Sequence, residues 1–184
     1  MGRRFFAFAI ALLALGCNYD FPLSPTPSHP VDPRLLGNWT TTDEDGETEI
    51  LMIRQYDADH YVVVADAALQ KVLRADVARV YHTDYAGMSL FSAQVLNKDP
   101  QYQKYLIAKW SLSEDATRLR IQTLNINVVP ERTKNPTSLR KLIDANRDNP
   151  NLFFEAVEYT REIEKPLQLG HEHSRENQRT ADRE

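Results

Sequence analysis

From Leu36 to Ile163 the chain is cut into short runs of Val, Ile, Leu, Tyr and Phe, separated at short intervals by clusters of Asp, Asn, Gly and Pro. That rhythm belongs to consecutive antiparallel strands joined by turns. It predicts about eight strands, over residues 36–42, 48–56, 60–67, 72–81, 88–96, 105–112, 118–124 and 156–163. Arg118-Leu119-Arg120-Ile121-Gln122 alternates polar and apolar residues, as a strand does when one face is wet and the other buried. The breaks at Asp43-Glu44-Asp45-Gly46, Asp57-Ala58-Asp59-His60 and Ser113-Glu114-Asp115-Ala116 carry side chains that satisfy turn backbones, and read as hairpin tips. Residues 65–80 are ambiguous, because Ala67-Ala68-Leu69-Gln70-Lys71 has the propensity to start a short helix.

One helix interrupts the strands. Thr137 or Ser138 can cap it after Pro136, Leu139, Leu142 and Ile143 share one face, and Asp148-Asn149-Pro150 ends it. Its expected place is over an open end of the sheet. A mainly β chain of this order most economically forms an antiparallel up-and-down barrel or a strongly curled sheet, since closure removes exposed edges. A flat sheet or a two-layer sandwich is the alternative.

The termini differ from this middle. Arg3-Arg4 precedes an apolar segment, residues 5–15, and Gly16 stands directly before Cys17, the single cysteine of the chain. Positive start, apolar stretch and small residue are the order an export signal needs. The stretch is far shorter than the roughly 20 residues of a membrane-spanning helix. Leu13-Ala14-Leu15-Gly16-Cys17 resembles the lipobox of bacterial lipoproteins, with Ala14 and Leu15 in inverted order. The resemblance implies that residues 1–16 are a signal peptide and that Cys17 becomes a lipidated N-terminus. Several acyl chains there would anchor the protein stably. Asn18, where an inner-membrane lipoprotein commonly has Asp, implies the outer membrane of a Gram-negative envelope, with the domain facing the periplasm. A lipidated Cys17 also leaves no internal disulfide, so the domain must rely on its core.

Residues 17–33 hold Pro22, Pro25, Pro27, Pro30 and Pro33 among polar residues and read as a semi-rigid tether. Residues 166–184 are almost wholly polar and read as a disordered tail. Residues 34–165 are enough for one domain. With 22 basic against 26 acidic side chains, and Arg3 and Arg4 lost with the leader, nothing suggests a nucleic-acid partner.

Leu35-Leu36-Gly37-Asn38-Trp39 resembles the Gly-x-Trp opening of lipocalin-like barrels. The wider order, with Lys104-Tyr105-Leu106-Ile107-Ala108-Lys109-Trp110, residues 119–125, residues 138–143 and residues 149–153, resembles small bacterial lipoproteins with lipocalin-like domains. The resemblance implies that Gly37 permits the opening turn, that Trp39 plugs one end, and that Arg161 stacks on Trp39. Inward aromatics Tyr61, Phe91, Tyr105 and Trp110 are candidate ligand-lining residues. Thr83-Asp84-Tyr85 stands too early for the lipocalin motif it resembles, and reads as a hairpin turn.

No pattern here carries an enzyme. His171-Glu172-His173 lies in a polar tail where alternate ligands rarely build a metal site. His60 and His82 read as turn or surface residues. Asp43, Glu44, Asp45, Glu47 and Glu49 lack calcium-hand spacing and read as a solvated hairpin. Nucleophile elbow and phosphate loop are both missing from the sequence. The expectation is a membrane-anchored, non-catalytic binding module for a small apolar or amphipathic ligand, with no cofactor or metal. The alternative is a structural or protein-interaction component of the envelope with a filled barrel and no small ligand.

Overall fold

The computed structural model describes residues 19–67, 76–96 and 104–162. Cys17, the leader and the polar tail lie outside the described residues. A 3-10 turn, Pro33–Leu35, leads into β1 (Gly37–Thr42), β2 (Thr48–Gln55), β3 (Tyr61–Ala67), β4 (Asp76–Tyr85), β5 (Met88–Val95), β6 (Tyr105–Leu112) and β7 (Arg118–Thr123). Helix α1 (Pro136–Ala145) precedes β8 (Val157–Arg161). Each strand pairs antiparallel with the next, and β8 returns to β1, so the sheet is a closed up-and-down barrel of eight strands. The seam is short: Trp39 opposes Arg161 and Thr40 opposes Thr160. Glu162 N–H donating to the Asn38 carbonyl at 2.9 Å extends it.

Turn chemistry sets the register. The Asp43 carboxylate accepts from the N–H groups of Asp45 and Glu47, and Gly46 supplies a positive φ of 82°. Asp57 accepts in the same way from Asp59 and His60. Ala86 and Gly87 both have positive φ, 53° and 76°, the geometry of a tight hairpin whose twist matches its strands. This turn lies later than expected, so Thr83-Asp84-Tyr85 closes β4 instead of forming the turn. β4 (Asp76–Tyr85) therefore continues past the expected end at residue 81, and residues 68–75, between β3 and β4, are outside the described residues.

Two apolar clusters form, one on each face of the wall. Inside are Leu35, Trp39, Leu51, Ile53, Tyr61, Ala78, Val80, Phe91, Ala93, Leu106, Ala108, Leu119 and Tyr159. Outside, Leu90 and Ile107, each one residue out of phase with an inward neighbour, pack with Leu124, Val129, Leu139, Ile143 and Leu152. Helix α1 is thus seated on the outer wall, not over an open end, because Leu139 and Ile143 meet the outward side chains of β5 and β6. Its cap is Asn135, whose side chain accepts from Ser138 N–H at 2.8 Å with Pro136 following, rather than Thr137 or Ser138.

The described part of the proline-rich segment also differs from a tether. Tyr19 and Leu23 are fully buried in the outer cluster. Tyr19 exchanges backbone hydrogen bonds with Tyr105, both 2.8 Å, and its hydroxyl donates to the Val129 carbonyl. Arg140 donates twice to the Leu23 carbonyl, Tyr81 to that of Ser24, and Ser28 N–H to that of His82. Prolines remove backbone donors, and the carbonyls that remain are met by side chains of the wall.

Candidate functional site

The barrel narrows to a plug where β1 begins. Leu35, from the 3-10 turn, is fully buried in the interior cluster. Trp39 is also fully buried and donates its indole N–H to the Leu35 carbonyl at 2.9 Å. Arg161 lies over the Trp39 ring, its Cζ 4.3 Å from the centroid. Its guanidinium donates to the carbonyls of Ala116 at 2.8 Å, Leu36 at 2.6 Å and Arg34. Gly37, at φ 138°, is required twice over, since a Cβ there would stand 2.8 Å from Arg161 Nη1. Gly37, Trp39 and Arg161 therefore form one unit.

An aromatic group packs beside the plug. Phe91 and Trp110 stack at 4.8 Å with 10° between planes, and His82 lies 5.1 Å from each. The Tyr61 hydroxyl accepts from Asp32 N–H and shares a hydrogen bond with His82 Nε2, each at 2.6 Å. His82 is 3 % exposed, so it is an interior residue and not the turn or surface histidine expected. Its parity with Ala78 and Val80 on β4 brings it inward. Burial lowers its pKa, which keeps the ring neutral, and burial raises Tyr61 to about 12. His60, by contrast, does sit at a turn, 2.8 Å from the Asp57 carboxylate.

Above this group lies a cavity of about 70 Å³, walled by Leu51, Ile53, Val63, Ala65, Ala78, Val80, Ala93, Leu106, Ala108 and Ile121. Of the four aromatics expected to point inward, Tyr61 and Phe91 line it. Trp110 stands behind Phe91 and does not line it. Tyr105 is one residue out of phase with inward Leu106, and its backbone holds Tyr19 on the outer wall.

One acid faces this apolar space. Glu49, the second residue of β2, is 7 % exposed and lines the cavity near the end away from the plug. Tyr159 donates to its Oε1 at 3.0 Å, whereas Oε2 has no partner among the described residues. Burial pushes the Glu49 carboxyl up to about 6, opposed in part by the Tyr159 hydrogen bond. Burial first, and then the neighbouring carboxylate, hold Tyr159 well above its ordinary value. Glu49 is therefore an interior residue and not part of the solvated acidic hairpin expected from sequence. Its signal was parity with Leu51 and Ile53, obscured because Ile50 and Met52 make the run continuously apolar.

Closed wall, plugged end and apolar interior define a calyx-type antiparallel barrel. Comparison with known protein families, curated proteins and solved structures returned no match to this chain. Among the described residues, no group of three or more His, Cys, Asp or Glu is placed to hold a metal ion, and no helix is long and apolar enough to cross a membrane.

Proposed function

We propose that this chain is a lipid-anchored protein of the bacterial envelope whose barrel binds a small apolar or amphipathic ligand. The observation that carries the binding half is the cavity of about 70 Å³ inside a closed barrel, lined by aliphatic and aromatic side chains. An apolar interior with a few polar groups is the composition of small-molecule sites. The lipoprotein half rests on Cys17 and the leader before it, and on the resemblance of the Gly37, Trp39 and Arg161 unit to lipocalin-like barrels. Outer-membrane attachment follows from Asn18.

Native mass spectrometry of the chain from Asn18 onward, purified without detergent, tests the binding half. A reproducible added mass that survives buffer exchange is the expected result. A bare mass in every preparation, with no uptake of added small apolar molecules, would overturn it and favour a filled barrel serving as an interaction component of the envelope.

A further inference from the structure

Two buried side-chain atoms lack a partner among the described residues, Glu49 Oε2 and Trp110 Nε1, and of the two residues only Glu49 lines the cavity. A buried carboxylate with one oxygen unpartnered is costly, and such groups persist where something completes them. Every other wall group of the cavity is apolar, save the hydroxyls of Tyr61 and Tyr159. Tyr61 is already committed to Asp32 and His82, and Tyr159 has spent its hydrogen on Oε1. The open valence is therefore for a hydrogen-bond donor, supplied from inside the cavity, next to an apolar wall.

We infer that the barrel binds an unbranched primary alkylamine, its aliphatic chain along Leu51, Ile53, Val80 and Ala93 and its ammonium donating to Glu49 Oε2. This rests on the cavity-binding reading above and names the ligand class. The ammonium matches Glu49 in charge and donates where Oε2 accepts, while the Tyr159 hydroxyl oxygen offers a second acceptor. A carboxylate ligand would meet Glu49 as a like charge. An alcohol could donate to Oε2 but would leave the buried charge uncompensated. At about 70 Å³ the cavity is smaller than the roughly 150 Å³ that holds benzene, so the alkyl chain it takes is short, about three carbons.

The titratable groups facing the cavity from the described residues are Glu49 on β2, Tyr61 on β3 and Tyr159 on β8. Both tyrosines stay protonated through the neutral range, their values being raised. Glu49 alone changes charge there, so the preference for amine fades as pH falls through about 6.

The test titrates the full chain with n-propylamine, n-propanol and propionate by calorimetry at pH about 8 and about 5, on either side of the carboxyl. The amine should bind at least about tenfold tighter than the alcohol at the higher pH, the increment expected of one charged hydrogen bond. That margin should vanish at the lower pH. Glu49→Gln should bring the amine down to the affinity of the alcohol measured on the same variant. An alcohol or acid that binds as tightly as the amine, or a margin that survives in Glu49→Gln, overturns the amine inference and leaves the binding barrel standing. Failure of all three probes to bind overturns both. Should the variant fold poorly, the pH dependence of the margin in the parent protein decides.

Discussion

At Glu49 the burial that raises the carboxyl to about 6 also ties the stability of the fold to pH. A carboxyl that holds its proton more tightly when folded than when unfolded loses stability as pH rises from its unfolded value, 4.5, to its folded value, about 6, and the penalty is complete above that. The span corresponds to about 2 kcal/mol. Urea denaturation across that range should show this fall, and Glu49→Gln, which cannot ionise, should flatten it; an unchanged slope would mean the carboxyl is not the source. Arg161 works in the opposite sense, as a fully used cation. It stacks on Trp39 and donates to three carbonyls at the mouth of the plug. Arg161→Ala should cost about 3 kcal/mol, and Arg161→Lys should recover less than half, because one ammonium cannot reproduce a planar fork over an indole. Denaturant midpoints of the two variants measure it. The Arg161 role was legible through the Gly-x-Trp resemblance. The Glu49 role was not, because neighbouring acids and a continuous apolar run concealed its parity.

Among the elements, the strands were the most legible and the packing of α1 and the N-terminal segment the least. Alternation and turn residues are local, so β2, β5, β6 and β7 fall within a residue of their expected bounds. β4 shifted because its register is dictated by Ala86 and Gly87, a hairpin in which only one residue is glycine. The face of α1 was readable at Leu139 and Ile143, but its target is made by Leu90 and Ile107, on strands far away in sequence. For the same reason Tyr19, Leu23 and their prolines looked like a spacer. Tyr19 is in fact a structural anchor: its ring is fully buried and its hydroxyl is bonded to Val129. Tyr19→Ala should destabilise the barrel by about 3 kcal/mol, and Tyr19→Phe by about 1 kcal/mol, the values for a vacated ring and for one lost hydrogen bond. Thermal unfolding distinguishes these outcomes from a free tether, in which neither change moves the midpoint.

For the whole molecule, docking of residues 19–31 on the barrel shortens the spacer between Cys17 and the folded wall. If Cys17 is lipidated, the barrel lies close against the membrane surface. Cys17→Ser should then move the protein from the detergent phase to the aqueous phase on phase separation. Equal partition of variant and parent would remove the anchor. By itself the sequence determined the strand count, the turns and the face of the late helix, because each depends on residues within a few positions of one another. It also carried the export-like leader, which stays an expectation read from sequence alone. Tertiary structure alone decided that β8 closes on β1, that α1 and the N-terminal segment share the outer wall, and that Glu49 and His82 turn inward. Those outcomes depend on which distant strands meet in register, and on the volume left once their side chains have packed.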